Sequence, residues 1–497
     1  MAEPLEGAGP PGVLSLLAPR SNGRNILFSL AGAGAPAVLA LFAIPRIATA
    51  LGTERFGILA LAWTVIGYAT FLHLGLGRAV ARDTAEAGEG GEALRATVWT
   101  ALLLTLAMGA AGGAVLFLFA PSLVSLLHIH PQLAAESTAA MRVLACAVPF
   151  TVSMPVLSGV LEARRRFDLV NAVVVPSAVA TYLGPVVALA FTGRLVPLVA
   201  VLAAARAAAW LGYLGLCLYE APELRARPAF HRRVARPLLH YGGWTTVSAA
   251  VSPLLVYLDR FVVGALVSAS AVAYYSTAQE VVLRMGMVSG AVVGVLFPAF
   301  ARVHDERGRL AALLESGVDA VLLLVLPLTL LLCAFSDELL HLWMGPAYSA
   351  AGGPVLAWLA VGLLVNGLAK MPSTMIQAIG RPDITARLHL VELPLFVLVL
   401  GALVWEWGLE GAAVAWVARV AADAVALYWV AWRKIPETHP AALRAAAVAL
   451  AGVGGAAVLR LLSAPSARVA ALGVAALVLG WAGRGVLGRR AIVAAGS

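Results

Sequence analysis

Charged side chains inside otherwise apolar segments are the residues of this sequence that could do chemistry. Arg206 is the clearest case, since it stands in LAAARAAAW with alanines on both sides and no acidic residue within four positions. A guanidinium group binds anions such as phosphate through paired donors and stays charged when it leaves water. This pattern predicts a cationic cavity. The alternative is a structural arginine that donates to carbonyl oxygens of a neighbouring helix.

Four further arginines are candidates for the same cationic cavity. Arg46 and Arg260 hold equivalent positions near the outer ends of two apolar segments, and Arg142 lies near the outer end of a third. Each of these three could instead extend its side chain to the membrane surface. Arg284 follows Glu280 by four residues, so the two side chains could neutralise each other on one helix face.

Three acidic residues, Glu280, Asp423 and Asp259, are candidates for carrying a coupling proton or sodium ion. Asp423 follows Arg419 by four residues, so a self-neutralised pair is the alternative there too. Asp259 adjoins Arg260 but points to another side of its helix.

Two more charged residues, Lys370 and Glu392, lie inside apolar segments. We expect Lys370 to reach the membrane surface with its long side chain, and the position of Glu392 fits either a cavity or an ion pair. The histidines His128 and His341 are too isolated for a metal site. The sequence predicts neither a metal site nor a catalytic residue.

Membrane-spanning helices must position these side chains. The chain is 61% hydrophobic and 12% charged, with a mean hydropathy of +0.90, whereas a soluble protein carries about 25% charged residues. About 20 helical residues cross the hydrocarbon core of a bilayer, and apolar runs of this length recur along the chain. Most of them have no polar face at helical period, which excludes a soluble all-α protein.

We predict fourteen spans joined by short loops, which leave no extramembrane domain for soluble chemistry. Their approximate limits are 26–50, 56–78, 97–119, 138–160, 171–192, 195–219, 242–265, 271–298, 317–334, 354–377, 388–405, 411–432, 442–461 and 468–486.

The loop charges fix the orientation of these spans. With a cytoplasmic N-terminus, the outer loops hold only Arg55, Arg194 and Arg468, and the inner loops hold the other loop arginines and lysines, including the run Arg164 to Arg166. This is the distribution of the positive-inside rule. It explains the net charge of +9 without a nucleic-acid partner.

The chain contains an internal repeat. LEARRRFD at Leu161–Asp168 returns as IQAIGRPD at Ile376–Asp383, 215 residues later, and Arg46 matches Arg260 at nearly the same offset. We therefore expect an all-α membrane protein with two six-helix lobes, related by a pseudo-two-fold axis along the membrane normal, and two added helices. The predicted segments are a cytoplasmic tail (1–25), the lobes (26–219 and 242–432), a basic inter-lobe linker (220–241) and the added helices with a short tail (433–497).

The first two spans read IPRIATALGTERFGILALAWTVIGYATFLHLGLGRAVAR, and the seventh and eighth contain LDRFVVG and AYYSTAQE. In order and spacing, about residues 25–435 resemble the polysaccharide (O-antigen and exopolysaccharide) flippases of the multidrug/oligosaccharidyl-lipid/polysaccharide exporter superfamily. The resemblance implies two lobes arranged as a V. It also implies movement of an undecaprenyl-diphosphate-linked oligosaccharide from the inner to the outer leaflet of the bacterial cytoplasmic membrane.

The same resemblance implies no cofactor beyond a possible proton or sodium gradient. Its expected partners are the lipid-linked oligosaccharide, membrane lipids and other polysaccharide assembly proteins. Three alternatives remain. The added helices also resemble lipid II flippases; a drug/cation antiporter would favour acids inside the first lobe, where none is central; and a membrane glycosyltransferase or ligase would need a larger outer loop.

Overall fold

The computed structural model describes residues 38–71, 76–77, 80, 91–226, 230–235, 254–462 and 464–478. The regular elements in these ranges are helices, which confirms the all-α prediction. Within the described residues, nine helices are long and apolar enough to cross a membrane. The chain is therefore a multi-pass membrane protein.

The chain divides into two compact units, the first of which ends at Ser276 and the second of which continues from Thr277. The helices of the first unit are α1 (Val38–Leu51), α2 (Thr53–Phe71), α3 (Gly91–Leu126), α4 (Pro131–Ala145), α5 (Val148–Ala163), α6 (Phe167–Leu189), α7 (Leu195–Glu220) and α8 (254–266). Helix α9 (Ala269–Arg302) begins in the first unit and continues into the second. The second unit also contains α10 (Arg307–Ala334), α11 (Ser336–Met344), α12 (Pro346–Ala378), α13 (Pro382–Lys434), α14 (His439–Leu461) and α15 (Pro465–Val478).

Helices lie at the predicted spans wherever the structure describes the chain. Helix α13 covers two predicted spans, because Gly408 has a non-helical backbone (φ 57°, ψ −129°) and breaks it into two arms. Only glycine adopts such a conformation without steric conflict. The exact number of crossings, the boundaries of the two lobes and their symmetry axis stay predictions.

One acidic residue, Glu136, connects the ends of three helices in the first unit. Glu136 of α4 accepts from Arg55 of α2 at 3.0 Å and from the backbone N–H of Leu195, the first residue of α7, at 2.5 Å. Gly57 of α2 lies directly against the backbone of Ala269, where a Cβ atom would collide with the carbonyl oxygen. Small residues permit such close packing between membrane helices.

The two copies of the repeated segment form the same turn. Arg165 after α5 has a φ of 58°, and its counterpart Gly380 after α12 has a φ of 80°. In each copy the next N–H donates to the carbonyl five residues earlier, at 2.9 Å in the first and 3.1 Å in the second. This is the hydrogen bond that closes a helix with a left-handed residue.

The arginine and aspartate of each copy also pair in the same way. Arg166 donates to both carboxylate oxygens of Asp168 at 3.1 and 3.0 Å, and Arg381 donates to both of Asp383 at 2.9 and 3.1 Å. The pattern R-x-D therefore marks one local structure: a two-bond ion pair across the first turn of the next helix.

Arginines attach the C-terminal helices to the second unit. Arg444 and Arg460 of α14 bind Asp319 and Asp337 at 2.8 and 2.6 Å. Arg468 of α15 binds Glu338 at 2.8 Å. The added helices are thus held to α10 and α11 by charge as well as by apolar packing.

Candidate functional site

Arg206 points from α7 toward α6 and is half-buried. Its Nη2 atom donates to Oγ1 of Thr181 at 3.1 Å, and its Nη1 atom lies 3.4 Å from Oγ of Ser177. Within the part of the chain that the structure describes, no carboxylate pairs with this guanidinium. The partners of Arg206, which could not be predicted from the sequence, are two hydroxyl groups. They orient the guanidinium without neutralising its charge.

A cavity of about 330 Å³ opens beside this guanidinium. Its polar residues come from α6 and α7, and Tyr182 and Tyr213 line it together with the arginine. The structure thus places Arg206 in the lining of a cavity, and the binding of an anion there stays a prediction. A guanidinium with hydroxyl groups beside it can donate hydrogen bonds to a phosphate or carboxylate oxygen.

Two of the other arginines are exposed at the protein surface. Arg46 is exposed on α1. Arg142 is exposed on α4, stacks over the ring of Phe117 at 5.1 Å and borders an open cavity of about 590 Å³. The described structure does not bring Arg46 or Arg142 into the cavity beside Arg206, so their place in one cationic site stays a prediction.

Arg260 and Asp259 are enclosed by protein. Asp259 is 0% exposed and accepts from the hydroxyl of Tyr275 at 2.5 Å. Arg260 is 2% exposed, donates to Oγ1 of Thr64 at 3.0 Å and lies over the ring of Tyr257. These contacts join α8 to α2 and α9. The surroundings fit a structural clamp better than a surface that cargo or ions reach.

Glu280 and Arg284 of α9 form an ion pair at 3.3 Å. This is the self-neutralised alternative that their spacing allowed. Both side chains remain partly accessible, at 26% and 23%.

The arms of α13 bring together a second cluster of charged side chains. Arg419 of the second arm lies 3.6 Å from Oε2 of Glu392 in the first. The imidazole of His389 and the carboxylates of Glu392 and Asp423 have ligand atoms within 4.8 Å of one another. We call these four residues the α13 cluster. Its acids could share a single bound cation.

The α13 cluster is closed to solvent. Glu392 is 8% exposed and Asp423 is 7% exposed. Among the described residues, neither Oε1 nor Oε2 of Glu392 nor Oδ1 of Asp423 has a hydrogen-bond partner. Two ionised carboxylates beside one arginine and a neutral imidazole would leave one negative charge inside the protein, which is costly unless a proton or another cation balances it.

Lys370 does not extend to the membrane surface, as its length had suggested. It is half-buried on α12, and its Nζ atom lies 3.4 Å from the hydroxyl of Ser289 on α9. Gly367, three residues earlier, also faces α9, and a Cβ atom there would lie 3.7 Å from the Cβ of Ser289, an ordinary packing distance. Lys370 is therefore a second cation, after Arg206, that has no carboxylate partner among the described residues. It lies in the second unit.

Comparison with known proteins agrees with this architecture. The family described as polysaccharide biosynthesis protein matches residues 47–352. A protein of Shigella flexneri that is named as an O-antigen transporter is 28% identical over 408 residues, which cover 82% of this chain and 97% of that protein.

Two solved structures share the fold. The lipid II flippase MurJ, in an inward closed conformation, superposes with a TM-score of 0.72 at 13% identity, over 92% of this chain and 98% of that one. An inward-facing multidrug resistance MATE transporter of the MOP superfamily gives a TM-score of 0.66 at 16% identity, over 86% and 96%. At these identities, the likeness concerns the fold.

Proposed function

The chain belongs to the polysaccharide biosynthesis protein family, and on this premise we propose that it is a flippase for an undecaprenyl-diphosphate-linked oligosaccharide. It moves this lipid from the cytoplasmic to the periplasmic leaflet by alternating access, for the synthesis of a cell-surface polysaccharide. It is a transporter, as two of its relatives are named, and not an enzyme. The cargo leaves with its covalent bonds unchanged.

The observation that carries this proposal is the cavity beside Arg206. The cargo has a diphosphate and often acidic sugars, and the guanidinium of Arg206 is held by Thr181 and Ser177 with its charge uncancelled. Phosphate oxygens could replace these weak hydroxyl contacts with charge-assisted ones. The hydroxyl groups around the cavity also suit a sugar, which both donates and accepts hydrogen bonds.

The α13 cluster supports a coupled mechanism. One positive charge, a proton or a sodium ion, would balance its uncompensated carboxylate. Asp423 and Glu392 would hold this ion, and Arg419 would limit the cluster to a single added charge. A cluster that is empty in one conformation and filled in another can tie the direction of flipping to an ion gradient.

The protein acts in the bacterial cytoplasmic membrane with both termini in the cytoplasm, beside other polysaccharide assembly proteins. Arginines and lysines at the predicted inner loops support this orientation. Lipid II is the alternative cargo. A drug/cation antiporter is the weaker alternative, because the acid of the first unit's α8, Asp259, is fully enclosed.

Proteoliposomes test the function directly. Purified protein is reconstituted with a fluorescent undecaprenyl-diphosphate oligosaccharide, with lipid II in a parallel sample, and an impermeant reagent that destroys sugars reports which leaflet holds the cargo. We expect faster loss of protection for the oligosaccharide than in protein-free vesicles or with the Arg206→Ala variant. Protection equal in all three samples would contradict the proposal, and selective movement of lipid II would change the cargo.

A further inference from the structure

The turn after α5 contains an arginine where the backbone favours glycine. Arg165 has a φ of 58°, and the equivalent residue of the second copy is Gly380 with a φ of 80°. In this left-handed region, a Cβ atom approaches a backbone carbonyl oxygen, so a side chain there carries a conformational penalty that glycine avoids. An arginine at a position that fits glycine suggests that its side chain performs a task.

The neighbouring arginines already have partners. Arg164 pairs with Glu223, and Arg166 pairs with Asp168. These contacts fasten the turn to the inner end of α7 and to the start of α6. Arg165 is exposed, and within the described ranges its side chain makes no hydrogen bond or ion pair. Of the three consecutive arginines, Arg165 is the one without a carboxylate partner in the described ranges.

We propose that Arg165 binds a phosphate group of a polyprenyl lipid at the inner membrane surface, as the first contact of the cargo with the protein. The assignment of that lipid as cargo rests on the proposed function. A guanidinium presents paired donors that match phosphate oxygens. Phe167, two residues later, is 57% exposed at the start of α6. The cation would contact the phosphate of the lipid, and the exposed ring would contact its hydrocarbon chain.

The difference between the two copies favours a defined ligand over general attraction to the membrane. The second copy has Gly380 and Pro382 where the first has Arg165 and Phe167. An arginine that only helps to orient the chain in the membrane can lie on ordinary helical backbone. Arg232, which is exposed on helical backbone of the predicted linker, is such a residue. A strained turn is needed only where the guanidinium must stand at one place.

The test measures lipid binding and thermal stability of the full-length protein in nanodiscs of uncharged lipid. The probe is undecaprenyl diphosphate without sugar. We expect Arg165→Gly to bind it about tenfold more weakly, as the loss of one charge-assisted contact predicts, and to melt at a higher temperature because the backbone strain is gone. Arg165→Lys should lose less affinity. Arg232→Ala, the control for an exposed inner arginine, should bind like the wild type.

Lower affinity together with a higher melting temperature in Arg165→Gly distinguishes a ligand site from a structural role, for which the melting temperature would fall. A lower melting temperature for Arg165→Gly, or unchanged affinity for the probe, would overturn the proposal. Equal loss in Arg232→Ala would overturn it too, since the effect would then be general electrostatics. A second series with phosphatidylglycerol identifies the source of the phosphate: a loss confined to phosphatidylglycerol assigns the site to a bulk headgroup and overturns the assignment to a polyprenyl lipid.

The binding measurement needs neither a sugar nor transport. A protein that binds the probe through Arg165 but flips no oligosaccharide would therefore refute the proposed function and leave this site in place. If the protein flips the oligosaccharide and Arg165→Gly binds the probe with unchanged affinity, the proposed function would stand and the Arg165 site would be refuted.

Discussion

The Nη2 atom of Arg206 donates to Oγ1 of Thr181 at 3.1 Å, across the contact between α7 and α6. A neutral hydroxyl orients the guanidinium but leaves its charge available to an anion. The contact also separates two explanations for an arginine in a membrane helix, because a carbonyl clamp or an ion pair would occupy the same donors with backbone or carboxylate oxygens.

Substitution of Arg206 tests whether this charge binds cargo. We expect Arg206→Ala to lower the flipping rate per folded molecule more than tenfold, the scale on which removal of a bidentate charged contact acts. Arg206→Lys should retain part of the rate, because it keeps the charge but loses the planar fork. Flipping is measured in proteoliposomes and divided by the amount of monodisperse protein. Full activity per molecule with reduced abundance would assign Arg206 a structural role.

The hydroxyl that orients this arginine gives a milder variant. Thr181→Val keeps the shape of the side chain and removes the acceptor, so the guanidinium becomes less well positioned while its charge stays. We expect a smaller loss of flipping than in Arg206→Lys, and no loss of protein from the membrane.

Coupling is tested at the α13 cluster with imposed gradients of protons or of sodium. In the wild type, one gradient should accelerate flipping and so identify the ion. Glu392→Gln and Asp423→Asn each remove a carboxylate, and we expect both to abolish this acceleration. Glu406→Gln changes an exposed acid of the same hairpin and serves as the control. If both cluster variants respond to the gradient like the wild type, the ion binds elsewhere.

The enclosed carboxylate of Asp259 predicts a stability effect. Tyr275→Phe removes the hydroxyl that donates to it and leaves a buried acceptor oxygen without that partner, which should reduce the free energy of unfolding by about 1–3 kcal/mol. Thermal denaturation in detergent measures this change, with Tyr219→Phe as a control at a position that is 70% exposed. An unchanged melting temperature with altered ion dependence would favour Asp259 as a coupling residue.

Gly408 predicts a difference between two glycines of one hairpin. Gly408→Ala places a Cβ at a φ of 57° and ψ of −129°, and we expect it to destabilise the protein by about 1–3 kcal/mol. Gly401→Ala, on the helical part of the first arm with open space around the added Cβ, should be neutral or slightly stabilising. Equal melting temperatures for the two variants would show that the reversal at Gly408 tolerates a side chain.

Orientation is tested with single cysteines. Cys146 is exposed and is first replaced by serine. A cysteine at Ser125 should then react with an impermeant maleimide added from the periplasm, and a cysteine at Gly308 should react only after the membrane is opened. Both positions are exposed at helix ends. Labelling in the opposite order would place the N-terminus outside the cytoplasm.

The helices could be predicted from the sequence because a bilayer demands long apolar segments with all backbone hydrogen bonds internal. The repeated segment was also informative at the level of single residues. Its shared arginine and aspartate form the same two-bond pair in both copies, at Arg166 and at Arg381. Local physics, within a few residues along the chain, determines both results.

Partners that come from distant segments were not predictable. Spacing suggested that Arg419 pairs with Asp423 on its own arm, and the structure also places Arg419 3.6 Å from Glu392 of the other arm. His389 comes close to Asp423 because the chain reverses direction at Gly408. No local sequence pattern predicts this contact between the two arms. Lys370 gave a similar error: its length suggested the membrane surface, but a close approach of α9 offers Ser289 inside the protein.

The reversal at Gly408 also bears on how the protein is made. Inserted alone, the second arm would bring Arg419 and Asp423 into lipid, and the first arm would bring Glu392, each at a cost of about 2.5–3.5 kcal/mol near the bilayer centre. A tight reversal lets the arms leave the translocon together, with opposite charges already in contact. We therefore expect a ribosome-bound chain that ends between the two arms to stay in the insertion machinery, and a longer chain that includes the second arm to leave it.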